Sequence, residues 1–335
     1  MAETVFVTGG TGFIGAHLLL QLAEKGYQVR ALKRETASTD FFHHLLKFYG
    51  KTALTERIEW IPGDINDAFG LLEAVKGCTS IYHSAGKVSF DQKDWDQLLA
   101  INKHGTANVV NAALEAGVKK FCLFSSVAAL DMSLGIKGKK TDWKHFRKTQ
   151  PYGYSKYLSE LEAFRGQEEG LEICIIRPAV VLGPSGRSNG LNRFIGRLRR
   201  GIAYYPIGTT GYIDVQKLCS SAIALMEANP PEQVIMCQGN LRFKETMFLF
   251  CEVGGFKKPA KKLDGLSLWF LKKYVGIREK MGLRMALTSS GLTALSNTGG
   301  YDHSAVNPEN IDPKTLLQPA IEEAVKFYQF QKEQH

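Results

Sequence analysis

Thr4-Val5-Phe6-Val7-Thr8-Gly9-Gly10-Thr11-Gly12-Phe13-Ile14-Gly15-Ala16-His17-Leu18 decides how this chain is read. A β-branched run, a glycine-rich turn and an apolar stretch of helical period follow one another without a gap. The glycines fall at 9, 12 and 15. Gly9 permits a tight turn, Gly12 lets backbone amides approach a pyrophosphate, and Gly15 lets the helix pack close on the strand. The helix start adds unpaired N–H donors and the positive end of its dipole. Gly9, Thr11, Gly12, Phe13, Ile14 and Gly15 are therefore the candidate phosphate-binding residues.

Outward from this turn, strand and helix patterns alternate to about residue 180. Strands are expected at 4–8, 28–33, 58–62, 80–83, 120–125 and 172–177, and helices at 14–25, 68–75, 95–116 and 152–167. Ile173-Cys174-Ile175-Ile176 is an unbroken apolar run, as a strand covered on both faces requires. The expected fold class is α/β: a doubly wound parallel sheet of Rossmann type with a smaller, mostly helical, discontinuous C-terminal part. Residues 183–211 read as loop plus one basic helix, 212–228 and 234–238 as a return to the sheet, and the rest as mostly helical. Residues 1–182 with 212–240 would form the dinucleotide-binding domain, and 183–211 with 241–335 the substrate-binding part.

The end of the second strand selects the dinucleotide. An acidic residue there accepts the ribose hydroxyls of NAD, whereas basic residues meet the 2′-phosphate of NADP. Val29-Arg30-Ala31-Leu32-Lys33-Arg34 ends on two cations, with Glu35 one residue later. NADP (NADPH) is expected over NAD, with Lys33 and Arg34 at the phosphate. After the third strand, Asp64 and the backbone amide of Ile65 are placed to bind adenine; Asp64 reads equally as a helix N-cap.

Tyr152 and Lys156 stand at i and i+4, on one helical face. A phenol near pKa ~10 is a poor acid–base group at neutral pH, and an adjacent ammonium favours its ionisation. Tyr154, two residues on, points elsewhere. Phe121-Cys122-Leu123-Phe124-Ser125-Ser126 ends a strand with two hydroxyls at the edge where open α/β sheets bind ligands. Residues 176–184 end the next strand, and the backbone around Pro178 and Val180 is placed to shape a nicotinamide pocket.

Composition excludes other classes. The chain has 335 residues, 44% hydrophobic and 22% charged, which suits a globular protein and not a disordered or fibrous one. No apolar run reaches the ~18 residues of a spanning helix, and the first residues lead directly into a strand, so a cytoplasmic protein without a leader is expected. The six cysteines have no ligand spacing and read as buried, reduced thiols; no metal site is expected. Of the net charge of +9, residues 257–284 hold nine basic side chains against Asp264 and Glu279. Arg187, Arg193, Arg197, Arg199 and Arg200 form a second cluster. No nucleic-acid-binding pattern accompanies either, so no nucleic acid partner is expected. Residues 266–287 are amphipathic, with Trp269, Phe270, Leu271, Tyr274 and Val275 among basic residues. They read as core packing or a substrate lid, with a weak peripheral membrane contact as the sharper reading; a homodimer is left open.

Residues 8–15, Asp64-Ile65, His83-Ser84-Ala85-Gly86, Asn102-x-x-Gly105-Thr106-x-Asn108, Ser125-Ser126, 152–156 and Arg177-Pro178 resemble, in order and spacing, the extended short-chain dehydrogenase/reductase (NAD-dependent epimerase/dehydratase) family over about residues 4–230. Residues 29–34 and 300–305 are most similar to its dihydroflavonol-reductase and 3β-hydroxysteroid-dehydrogenase branch. The resemblance implies Ser126, Tyr152 and Lys156 as the catalytic set, with Lys156 also on the cofactor and Ser125 supporting. It adds Ser84 and Ala85 to the cofactor-binding residues and makes Asn102 a packing residue.

Three functions are weighed. The first is NADPH-dependent reduction of a carbonyl on a small, fairly apolar or phenolic substrate. The second is nucleotide-sugar epimerisation or dehydration with a recycled cofactor; such enzymes usually hold the diphosphate with an Arg where this chain has Gly211, a role the Arg193–Arg200 cluster could fill instead. The third is a cofactor-sensing regulator without turnover, against which the retained Tyr152 and Lys156 argue.

Overall fold

The computed structural model describes residues 3–130, 150–228, 231–280, 291–292 and 295–334. The strands are β1 (Thr4–Thr8), β2 (Gln28–Lys33), β3 (Ile58–Pro62), β4 (Ser80–His83), β5 (Lys120–Phe124) and β6 (Glu172–Pro178). Then come β7 (Val180–Leu182), β8 (Tyr204–Pro206), β9 (Thr209–Asp214), β10 (Gln233–Met236), β11 (Gly239–Arg242) and β12 (Lys261–Leu263). A seven-stranded sheet runs in the order β10-β6-β5-β4-β1-β2-β3. All its pairings are parallel.

The helices on its two faces are α1 (Phe13–Glu24), α2 (Asp40–Phe48), α3 (Ala68–Val75), α4 (Trp95–Leu98), α5 (Gly105–Glu115), α6 (Pro151–Glu168) and α8 (Val215–Glu227), whereas α7 (Gly190–Arg200) packs in the C-terminal part. Alternation along each strand divides the core between the faces, because successive side chains point to opposite sides. Val5, Val7, Cys122, Phe124, Cys174 and Ile176 pack with α1, α2 and α8 on one side. Phe6, Phe121, Leu123, Ile173 and Ile175 pack with α3 and α5 on the other. All six cysteines are free and buried.

The expected helix over 95–116 is interrupted. Residues 99–104 form a π-type segment between α4 and α5, placing Asn102 in the buried interior. Such a segment inserts one residue in the helical ladder and re-aims the side chains around it.

Beyond Pro178 the structure corrects the expected return to the sheet. Among the described residues only β10 rejoins it, alongside β6. β9 instead lies in a second sheet, parallel to β7 and antiparallel to β11. Ala179 N still bonds to Met236 O in the main sheet, and from Val180 onward β7 takes β9 as its partner. Residues 183–211 hold α7, but also β8 and the start of β9. The C-terminal elements are α9 (Phe243–Gly254), α10 (Gly265–Lys280) and α11 (Pro313–Glu333). A third core of Leu198, Leu241, Phe250, Leu317 and Ile321 joins α7, α9 and α11 to the second sheet.

Candidate functional site

The C-terminal ends of β1, β2, β4, β5 and β6 share one edge of the parallel sheet. Gly9 there has φ +75°, and a Cβ on it would lie 2.6 Å from Ala85 N. A Cβ on Gly15 would overlap Gly9 O. Both positions admit only glycine, the first for its backbone angle and both for space. Gly12 is the N-cap of α1, with no side chain capping it. The amides of Phe13, Ile14 and Gly15 therefore have no intrahelical partner. They form a donor cradle beside half-buried Thr11, kept open by the lack of side chains, which fits a pyrophosphate. Ser84 Oγ donates to Thr8 O at 2.7 Å, and Ala85 N to Thr8 Oγ1 at 3.2 Å, holding the β4 exit against the turn.

At the β2 end, Lys33 Nζ rests on the carbonyls of Arg34 and Ala37, each at 3.4 Å. Arg34 is exposed and makes no ion pair among the described residues. Asp64 departs from the N-cap reading. Its Oδ1 accepts from Asn66 N and Nδ2, both at 2.9 Å, closing a turn. The N-cap of α3 is Asp67, which accepts from Gly70 N, because the helix begins only at Ala68. Ile65 is buried, and its carbonyl accepts from Asn108 Nδ2 at 3.0 Å.

Ser126, Tyr152 and Lys156 converge at the ends of β5 and α6. Ser126 leaves β5 in extended conformation, and its Oγ accepts from Ala128 N at 3.1 Å. α6 starts on Pro151, where the missing N–H costs no helical bond. Ser126 and Tyr152 are hydrogen-bonded through their side chains, a contact that favours the phenolate; burial outweighs it and pushes the phenol up. Lys156 is buried, and its Nζ donates to Phe124 O at 2.7 Å. Burial brings its pKa down to about 8, against the opposing pull of Glu160. Tyr154 turns away and stacks on Trp95, with ring centroids 5.7 Å apart.

Two buried polar assemblies support this cluster and were not anticipated as such. Glu160, one turn beyond Lys156, receives Arg177 Nη2 at 2.6 Å and Nε at 2.8 Å, and Ser125 Oγ donates to the same carboxylate. The pair ties α6 to β6 and to the residue beside Ser126. An arginine inside an otherwise apolar strand was the available signal, since buried charge is rarely unpaired. The second assembly is a chain. Thr8 Oγ1 bonds His83 Nδ1 at 2.7 Å, and His83 Nε2 bonds Thr106 Oγ1 at 3.0 Å. Thr106 Oγ1 donates to Asn102 O at 2.5 Å, and Asn102 Nδ2 donates to Ser155 Oγ at 2.8 Å. His83 is thus a fully buried, doubly bonded histidine, lowered to about 3 chiefly by burial. Asn102 also bonds both backbone groups of Lys87, so the loop after β4 is fixed to α6.

That loop presents exposed Val88 and Phe90, and the Phe90 ring stands edge-on to Tyr152 at 5.8 Å. Pro178 closes β6, and exposed Val180 opens β7. On β9, Gly211 has no room for a side chain: a Cβ would lie 2.7 Å from Cys237 Sγ and 2.8 Å from Tyr301 Cδ2.

Residues 5–214 match the NAD dependent epimerase/dehydratase family, well over half of the chain. The chain belongs to that family. It is an NAD(P)-dependent enzyme of the short-chain dehydrogenase/reductase type. A putative dihydroflavonol 4-reductase of Synechocystis is 29% identical over 98% of this chain and 95% of its own length. Cinnamoyl-CoA reductase 1 of Oryza sativa is 27% identical, over 71% of this chain and 72% of its own. Among solved structures, UDP-glucose 4-epimerase of Thermotoga maritima superposes with a TM-score of 0.72 at 19% identity, covering 99% of this chain and 100% of that one. UDP-glucuronic acid 4-epimerase of Bacillus cereus gives 0.72 at 18%, covering 98% and 96%. These likenesses establish the fold. No helix among the described residues is long and apolar enough to cross a membrane.

Proposed function

We propose that this enzyme reduces a carbonyl on a fairly apolar or phenolic substrate, with NADPH as the hydride donor. NADPH, when bound, supplies the hydride. The chain's own residues do the rest. The amides at Phe13, Ile14 and Gly15 receive the pyrophosphate, and Ser84 and Ala85 flank it. Lys33 and Arg34 meet the 2′-phosphate, and Asp64 Oδ2 with the Ile65 amide meet adenine. Lys156 has three N–H donors and spends one on Phe124 O, leaving two for the ribose hydroxyls. Pro178 and Val180 line the nicotinamide end. Tyr152 gives its proton to the carbonyl oxygen as the carbon is reduced, and Ser126 donates a hydrogen bond to that oxygen. Burial keeps Tyr152 protonated as it enters the reaction, and the positive charges of Lys156 and of the nicotinamide as it is oxidised would draw the phenol toward the range a proton donor needs.

The observation that carries this reading over sugar chemistry is the packing at Gly211. At Gly211, where nucleotide-sugar enzymes usually carry the Arg that holds the diphosphate, Cys237 and Tyr301 leave no room for a side chain. The Phe90 ring offers an apolar surface beside Tyr152 instead. The test is NADPH consumption with aldehydes, ketosteroids and flavanonols beside a nucleotide-sugar panel. Stoichiometric oxidation of NADPH by a carbonyl supports the proposal. Conversion of a nucleotide sugar without net NADPH loss overturns it.

A further inference from the structure

One face of α10 is exposed apolar surface. Val275 is fully buried, while Trp269, Phe270, Tyr274 and Ile277 are 52%, 59%, 51% and 59% exposed. Trp269, Lys273 and Ile277 form one row at i, i+4 and i+8, and Phe270 and Tyr274 form the row beside it, so the five share one side of the helix. Lys273 Nζ lies 5.5 Å from the centroid of Trp269, and the Arg278 guanidinium 5.7 Å from that of Tyr274. Single exposed apolar side chains need no explanation, but a contiguous cluster of this kind marks a contact surface.

Charge decides what that surface meets. Between Lys257 and Lys280 stand eight basic residues and two acidic ones, Asp264 and Glu279. Interface cores between proteins are depleted in lysine. A second copy of this chain would set Lys272 and Lys273 against their own kind, a juxtaposition that costs affinity. A sheet of negative charge with an apolar interior just beneath it satisfies both halves of the pattern. Lysine and arginine stems lying along aromatic rings let the rings enter while the charges stay in water. A helix that is too short and too polar to cross a bilayer can meet it only along its surface.

We propose that α10 docks the enzyme on an anionic lipid bilayer, with Trp269, Phe270, Tyr274 and Ile277 at the boundary of headgroups and acyl chains and Lys272 and Lys273 at headgroup level. Docking would bring the enzyme to where an apolar carbonyl compound partitions, although the vesicle test below needs no turnover and stands apart from the reductase reading.

The full chain is sedimented with phosphatidylcholine vesicles and with vesicles in which roughly a third of the lipid is phosphatidylglycerol. The expected result is pelleting with the anionic vesicles only, reversed near ~1 M salt, where screening acts within about 3 Å. Trp269→Ser with Phe270→Ser should abolish pelleting. Lys272→Ala with Lys273→Ala should weaken it by about 30-fold, two surface charges being removed. Phe69→Ser, on the exposed face of α3, should pellet like the parent. Circular dichroism confirms that each variant is folded. The proposal is overturned by absence of pelleting at low salt, by equal pelleting with neutral vesicles, or by α10 variants that pellet like the parent. A dimer of the parent that Trp269→Ser and Phe270→Ser dissociate, with no vesicle binding, overturns it as well.

Discussion

At the scale of single residues, the roles proposed for Tyr152, Lys156 and Arg34 are separable. Tyr152→Phe removes only the ionisable oxygen, so activity should vanish while NADPH titration by fluorescence stays nearly unchanged; full turnover would exclude Tyr152 as proton donor. Lys156→Met should weaken cofactor binding as well. Because Lys156 titrates at about 8, kcat/KM for the cofactor, which reports the free enzyme, should fall as pH rises through that value. The fall should be missing in Lys156→Met. Arg34 tests cofactor choice. A charge-assisted hydrogen bond contributes about 1.5–3 kcal/mol, so Arg34→Ala should weaken NADPH by roughly 10- to 150-fold. NADH has no phosphate to lose. Equal weakening of both cofactors, or a parent enzyme that prefers NADH, would refute the NADP assignment. The positions of these three residues were legible in the sequence because each follows from spacing along one element: i and i+4 on a helix, or the residue just past a strand. Glu160 was not, because its partner Arg177 is 17 residues away on another element and the pair forms only when α6 packs on β6.

At the scale of elements, legibility followed local pattern. β1 and β4 lie where the sequence places them, since a run buried on both sides shows its apolar character without a partner. The more exposed β2 and β3 lie where it places them too. β9 was misplaced because its pairing with β7 and β11 depends on where the chain turns after Pro178, which no local pattern encodes. The π segment at 99–104 was equally silent: one inserted residue leaves the apolar period on either side nearly intact. The β1–α1 turn gives the sharpest element-level prediction. Gly15→Ala drives a methyl into Gly9 O, so strand and helix must separate. Overpacking of this kind costs about 1–3 kcal/mol, read in urea unfolding, and the displaced amides should lose NADPH binding. Unchanged stability and affinity would show that the turn can yield, contrary to the packing.

At the scale of the whole molecule, the buried titratable groups set how the fold responds to acid. His17 and His83 are held neutral by burial, at about 4 and about 3, although His17 also bonds Pro184 O. Below the ordinary histidine value of ~6.5 the unfolded chain takes two protons that the folded chain refuses. Asp214 works the other way. Burial raises its carboxyl to about 6, so the folded chain takes a proton there that the unfolded chain does not. Between about pH 6 and 4.5 the unfolded state therefore binds one more proton in net, and stability should fall by about 1.4 kcal/mol for each pH unit lost. Asp214→Asn isolates the histidines. Asparagine retains the cap that Asp214 Oδ1 gives to Gln216 N at 3.0 Å but cannot take the compensating proton. The slope over the same window should then roughly double, to about 2.7 kcal/mol per unit. Urea midpoints measured at pH 6 and pH 4.5 for parent and variant read it directly. Equal slopes would mean that Asp214 does not take up its proton in this range, whereas a flat profile in both would mean that His17 and His83 accept protons in the folded state.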